Sequence, residues 1–371
     1  MNTAPVAPAV TEYLYRKASA EGVPLSGTFE LLPVCNMDCK MCYIRMSRQE
    51  QESVGPLAGA ERWLALARDA KEAGMLYLLL TGGEPFLYPQ FRMLMESLHK
   101  MGFLISINSN GTLIDRATVE WLKECPPIRI NISIYGASNE TYQRLCGNPQ
   151  GFTQVTNAIR LLRDAGISVK LNCSLTPHNA ADLPEMVKFA QDNDLTIQVA
   201  TYMFPPVRKD GTTPGNPHRF SPLDAAYYMA YADYLTLGAD RFLTQTAQIP
   251  TTDPSEDPCG RLGDGVRCRA GKCSFWVTWQ GNIMPCGMFP AEGAPNVFTM
   301  PFRTAWEQIK EETARIRLPV RCADCSAKDT CRACAAMVIS ESGNFHTVPQ
   351  YRCDMSHAYK SQWERVKEEM Q

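Results

Sequence analysis

Six short apolar runs recur along residues 28–201, each separated from the next by a stretch long enough for a helix. They are "TFELL" (28–32), "YLLLT" (77–81), "LISIN" (104–108), "RINISI" (129–134), "SVKLNCS" (168–174) and "TIQVAT" (196–201). Between them lie amphipathic patterns such as "AERWLALARDAKEAG" (60–74), "FTQVTNAIRLLRDAG" (152–166) and "LPEMVKFAQDND" (183–194), two of them closed by a glycine suited to a helix C-cap. Strand starts fall about every 25 to 50 residues. That rhythm predicts right-handed βα units on a parallel sheet. Six units are too few to close an eight-fold barrel, so the expected fold is α/β, a partial (β/α)6 TIM-like barrel whose active face lies at the C-terminal strand ends.

The first run is followed at once by "PVCNMDCKMCY" (33–43), which puts Cys35, Cys39 and Cys42 on that face. The spacing is too tight for a structural disulfide and one thiol short of a four-cysteine zinc knuckle. The N-terminus lacks a charged leader followed by an apolar region, and the longest purely apolar run, "MLYLLL" at 75–80, falls far short of the roughly 20 residues that span a bilayer. A cytoplasmic protein is expected. Thiols stay reduced there, so 15 cysteines in 371 residues favour metal or cluster ligation over disulfides. A net charge of -2 and a pI near 6.3 give no basic field for nucleic acid or anionic lipid, and neither is an expected partner.

Three thiolates are one fewer than a [4Fe-4S] cube normally takes, which leaves one iron open to a ligand. The second run ends in "TGGEPFLYP", where paired Gly82 and Gly83 would let a ligand approach the backbone and Glu84 could accept hydrogen bonds from an ammonium group. Past residue 222 the alternation stops. Nine of the 15 cysteines fall after it: Cys259, Cys268, Cys273, Cys286, Cys322, Cys325, Cys331, Cys334 and Cys353. The apolar sequence there is too sparse for a core of its own, so that segment should fold around metal. The expected organisation is a tail (1–27), the barrel (28–240), a linker (241–258) and a cysteine-rich domain (259–371).

The Cys35-x3-Cys39-x2-Cys42 trio, the aromatic Tyr43 behind it and the Gly-Gly-Glu-Pro element resemble the radical S-adenosylmethionine (radical SAM) superfamily. The resemblance implies a [4Fe-4S] cluster on Cys35, Cys39 and Cys42, whose open iron chelates SAM and whose electron releases a 5'-deoxyadenosyl radical. It implies that Gly82, Gly83 and Glu84 hold the methionyl ammonium, that Ser133 and Arg144 contact SAM, and that Asn172 meets the ribose. It also implies an external one-electron donor of the flavodoxin or ferredoxin type.

The spacing Cys268-x12-Gly281-x4-Cys286, then Cys322-x2-Cys325-x5-Cys331-x2-Cys334, then Cys353, resembles the SPASM extension of that superfamily, which binds two auxiliary iron-sulfur clusters. By the resemblance one would use Cys322, Cys325, Cys331 and Cys353. The other would use Cys268, Cys286 and Cys334, with Cys259 or Cys273 as a fourth ligand or an open iron. A zinc ribbon is the rival reading of the Cys-x2-Cys pairs. Cys125 is read as a packing residue, and Asn172 and Cys173, neighbours on one strand, face opposite sides, so both cannot point into the barrel. Cys146 could reach the active face and donate hydrogen to a substrate radical. Trp276 and Trp279 are read as covering the auxiliary clusters, and the five histidines form no ligand-spaced pair in sequence.

The resemblance to sulfatase-maturing enzymes fails at two positions: Gly287 stands where they carry an aspartate base, and Thr81 where they usually carry glutamine. Formylglycine formation is therefore disfavoured. The expected activity is radical modification of a peptide or protein side chain, by crosslinking or epimerisation. About 27 residues precede the first strand, which leaves leader-peptide recognition to a separate protein or a different surface. The same chemistry on a small molecule such as a haem precursor is one rival; a non-catalytic zinc- or cluster-binding protein is another.

Overall fold

The computed structural model describes residues 9–206, 208, 215–245, 265–322, 325–327, 331 and 333–371. All six expected strands form: β1 (Ser26–Glu30), β2 (Tyr77–Thr81), β3 (Leu104–Ser109), β4 (Arg129–Ser133), β5 (Val169–Ser174) and β6 (Thr196–Ala200). Each pairs in parallel with its sequence neighbour. Two further strands, β7 (Ser274–Val277) and β8 (Ile283–Met284), come from the cysteine-rich segment. The sheet order is β6-β5-β4-β3-β2-β1-β7-β8, so the barrel stays open, and its edge at β1 is covered by β7 in parallel register, Thr28 opposite Trp276. The C-terminal segment thus shares the barrel's sheet, which the fading of βα periodicity after residue 222 did not reveal.

Alternation along the strands sorts the two faces. On β3, Ile105, Ile107 and Ser109 are buried while Leu104, Ser106 and Asn108 are half-buried. On β5, Val169, Leu171 and Cys173 are buried and Lys170, Asn172 and Ser174 are not. The register Asn108↔Asn131 and Ser133↔Asn172 puts these polar residues in two successive rows on the concave face. Cys173 faces the other way, its Sγ 4.0 Å from Met186 Sδ in the helix Leu183–Asp192.

The outer helices bury stripes of helical period: Trp63, Leu66, Ala67 and Ala70 on Ala60–Glu72, and Val155, Ala158, Ile159 and Leu162 on Gly151–Asp164. The last helix, Gln350–Met370, lies along Pro222–Leu237, with Tyr359 Oη donating to Asp233 at 2.7 Å and Trp363 stacked on Phe242 at 4.0 Å. The segment expected as a tail contains a helix, Ala9–Glu21, whose Tyr15 stacks on Tyr77 at 5.5 Å. Among the described residues no helix is long and apolar enough to cross a membrane.

Candidate functional site

The loop after β1 is built to present three thiols. Met37 and Met41, which alternate with the cysteines, are buried and anchor it, while Cys35, Cys39 and Cys42 stay half-exposed. One side of the loop is held by β2: Gly83 N donates to Leu32 O at 2.7 Å and Glu84 N to Val34 O at 3.0 Å. The other side rests on the end of the helix Asn139–Cys146, where Asp38 N and Lys40 N donate to the carbonyls of Cys146 and Leu145 at 2.9 and 3.0 Å. Those carbonyls have no partner within the helix, so the loop caps it.

The glycine pair has a reason that spacing alone does not supply. A Cβ on Gly83 would lie 2.3 Å from Val34 O and 2.7 Å from Pro33 O, and one on Gly82 would lie 2.5 Å from Leu32 O. The close approach these glycines permit is to the chain's own backbone beneath the cysteine loop. Glu84 is likewise committed within the protein. It is fully buried, and its carboxylate accepts from Ser109 Oγ at 2.9 Å, Asn110 N at 2.8 Å and Phe86 N at 3.3 Å. Burial lifts its carboxyl to about 7 against those hydrogen bonds.

Ser109 and Asn110 were not singled out from the sequence. Asn110 Nδ2 donates to Asn36 Oδ1 at 2.9 Å and points at Cys35 Sγ from 3.6 Å, so Glu84 is connected to the first thiol through one residue. The readable signal was a polar turn, "NSNGT", at a strand's C-terminal end. Met37 N also donates to Cys35 Sγ and Arg45 N to Cys42 Sγ, at 3.4 and 3.3 Å.

Ionisation of Cys35 and Cys39 is opposed. Desolvation pushes the Cys35 thiol up to about 12, with Glu84, Cys39 and Cys42 adding to the rise against the Met37 N–H. Cys39 is raised by a hydrogen bond with Cys146 and then by burial. An iron-sulfur group bound to the loop would supply the positive charge that offsets this cost at Cys35 and Cys39. Cys146 itself is fully buried against Cys39.

Of the remaining expected contacts, Ser133 and Asn172 stand opposite each other on β4 and β5. Asn172 Oδ1 and Asn131 Oδ1 are buried without a hydrogen-bond partner, acceptors that a polyhydroxyl ligand on the concave face would satisfy. Arg144 lies at the rim, donating to His178 O at 3.0 Å and Thr141 Oγ1 at 3.2 Å. In space, though not in sequence, two histidines do meet: His178 Nε2 and His218 Nδ1 are 3.2 Å apart.

The C-terminal cysteines fall into two groups. Cys322, Cys325, Cys331 and Cys353 line one cavity together with Arg267 and His357. Cys268, Cys286 and Cys334 share an apolar cluster with Val266, Met284 and Ala335. Burial pushes Cys286 up to about 12, with Cys334 and Cys268 adding to the rise. Cys273 points elsewhere: it is fully buried under the N-terminal helix, 3.0 Å from Ser19 Oγ and packed with Tyr15, Ala18 and Leu25. Cys259 lies outside the described residues. Cys125 is buried near Trp121 O. Among the described residues no three His, Cys, Asp or Glu side chains converge at the distance a single metal ion requires, which a zinc ribbon would need.

A buried ion pair stands at the end of β1. Arg208 pairs with both carboxylate oxygens of Glu30 at the end of β1, and Trp276 Nε1 donates to Glu30 Oε2 at 3.0 Å. A Cβ on Gly287 would lie 2.7 Å from the Trp276 ring, so the indole fills the space that a side chain at 287 would take. Tyr43 lies in the same region, within electrostatic range of Glu30, Cys42 and Cys286.

Comparison with known proteins fits this geometry. Residues 29–190 match the family model described as Radical SAM superfamily. The AdoMet-dependent heme synthase of Methanosarcina barkeri is 25% identical over 328 residues, covering 85% of this chain and 93% of that protein. The antilisterial bacteriocin subtilosin biosynthesis protein AlbA of Bacillus subtilis is 27% identical over 271 residues, which are 73% of this chain and 56% of AlbA. Among solved structures, Streptococcus suis SuiB bound to S-adenosylmethionine superposes with a TM-score of 0.66 at 20% identity, covering 94% of this chain and 84% of SuiB.

Proposed function

We propose that this chain, a radical SAM enzyme of the SPASM type, abstracts hydrogen from a peptide or protein side chain, with Cys35, Cys39 and Cys42 holding the [4Fe-4S] cluster that binds SAM. Together, cluster and SAM supply a one-electron cleavage that yields a 5'-deoxyadenosyl radical. The observation that carries the reading is the presentation of three half-exposed thiols on one short loop, with N–H groups of Met37 and Asn110 aimed at Cys35 Sγ and that of Arg45 at Cys42 Sγ. Such donors stabilise thiolates and orient them.

The chain's own residues do the rest. Glu84 fixes Asn110 at the end of β3, the Gly82–Gly83 pair seats the loop on β2, and Asn131 and Asn172 offer acceptors on the concave face. Cys322, Cys325, Cys331 and Cys353 would hold one auxiliary cluster. Cys268, Cys286 and Cys334 would hold the other, with Cys259 or an open iron in the fourth position, since Cys273 packs on the N-terminal helix. The buried thiol of Cys146 beside Cys39 is the candidate hydrogen donor. Gly287 backed by Trp276 leaves no room for a side-chain base at that position, in keeping with an activity other than formylglycine formation.

A peptide substrate is supported by AlbA, named for bacteriocin biosynthesis, and by SuiB, whose fold this chain shares and which is also known bound to its precursor peptide SuiA. The haem-precursor reading keeps one specific support: the heme synthase similarity runs over 93% of that protein's length. An electron donor of the flavodoxin or ferredoxin type and a cytoplasmic location complete the proposal.

Anaerobic reconstitution tests it. The full chain should take up about twelve irons and release 5'-deoxyadenosine from SAM on reduction. Replacing Cys35, Cys39 and Cys42 together by Ala should abolish that release while about eight irons remain. Release at the wild-type rate from this variant would remove the site assignment. A mass change in a peptide encoded beside the gene, against none in a tetrapyrrole, separates the two substrates.

A further inference from the structure

The cavity of the C-terminal four-cysteine set holds a nitrogen donor as well as thiols. His357 lies one helical turn beyond Cys353 on Gln350–Met370, so both side chains leave the helix on one face, and both line the cavity. The imidazole Nε2 stands 3.6 Å from Cys325 Sγ. Backbone N–H groups already point at this set: Ala327 N donates to Cys325 Sγ and Ala333 N to Cys331 Sγ, each at 3.4 Å. Four cysteines line the cavity, the full number a [4Fe-4S] cube takes, so His357 stands beside that set as a fifth group.

We propose that His357 is a positioning residue for this set, donating its Nε2 hydrogen to the sulfur of Cys325 and so making an iron-sulfur group held there easier to reduce. The inference rests on the auxiliary-cluster reading above. The direction of donation follows from valence: a thiolate bound to iron has no hydrogen, so the imidazole must supply it, which places the remaining lone pair on Nδ1. The sign of the effect follows from charge. Reduction adds negative charge to the cluster and its ligand sulfurs, and an N–H aimed at one of them stabilises the reduced form more than the oxidised one. His357 is exposed, so the donor also marks the solvent side of the cavity.

The test uses the full chain carrying Cys35→Ala, Cys39→Ala and Cys42→Ala, reconstituted anaerobically with iron and sulfide, so that only auxiliary signals remain. Redox titration followed by electron paramagnetic resonance compares it with the same protein carrying His357→Phe or His357→Gln. Phe should move one of the two auxiliary midpoints to a more negative potential at unchanged iron content, while the other midpoint stays as an internal control. Gln keeps an N–H and should fall between Phe and His. Unchanged midpoints in His357→Phe overturn the proposal. Loss of iron from His357→Phe also overturns it, in favour of direct ligation. Absence of iron from the parent triple variant is a different failure, that of the auxiliary-cluster reading itself.

Discussion

Replacing Gly83 by Ala separates two roles for the glycine pair. The added methyl would sit 2.3 Å from Val34 O and 2.5 Å from Val34 C, both backbone atoms that no rotamer change can move. Restoring ordinary contact, which begins at 3.4 Å, requires the cysteine loop and the end of β2 to part by about 1 Å. That separation breaks the Gly83 N to Leu32 O and Glu84 N to Val34 O hydrogen bonds. Overpacking and two lost hydrogen bonds together should cost about 2 to 6 kcal/mol.

Because the loop carries Cys35, Cys39 and Cys42, the variant should lose about four of its twelve irons on anaerobic reconstitution and melt at a lower temperature. Iron analysis and a thermal melt read both effects. A Gly83→Ala protein that loads all its iron and melts like the parent, yet no longer binds SAM, would refute the steric argument and return the glycine to a ligand-facing role.

Three further outcomes are expected. Glu84 is protonated more readily folded than unfolded, with its carboxyl moved from 4.5 to about 7, so its contribution is complete below pH 4.5 and lost as pH rises through 7. Relative to Glu84→Gln, the parent should therefore lose about 3 kcal/mol across that window in denaturant titrations, and parallel pH profiles would contradict the assignment. Cys273→Ala should leave the iron content unchanged and cost about 1 kcal/mol of packing, whereas lost iron would make Cys273 a ligand. Glu30→Gln leaves Arg208 buried without its counter-charge and should destabilise the protein by about 3 to 5 kcal/mol in urea titrations; a change under about 1 kcal/mol would mean that the pair does not form in solution.

The six parallel strands were legible because short apolar runs alternate with segments of 3.6 period along residues 28–201, signals contained within a few residues. The opposite facing of Asn172 and Cys173 was legible for the same reason, strand alternation. β7 was not: four residues, "SFWV", among cysteines and glycines carry too little pattern, and their pairing depends on β1 having a free edge nearly 250 residues earlier. Within the site, the cysteine spacing and the Gly-Gly-Glu element could be read directly. Ser109 and Asn110 could not be told from ordinary turn residues until Glu84 was seen to accept from both.

What the sequence by itself determined is the chemistry on offer: how many thiols there are, how they are spaced, and that the first three follow the end of the first strand. Covalent spacing and local periodicity set those features before any long-range contact forms. Only the tertiary structure decided which thiols keep company. It turned Cys273 under the N-terminal helix and set Cys146 against Cys39. It also brought His357 to Cys325 and Arg208 to Glu30 across 32 and 178 residues of chain. Those choices belong to packing, because which buried groups meet depends on how helices and strands far apart in the chain share one interior.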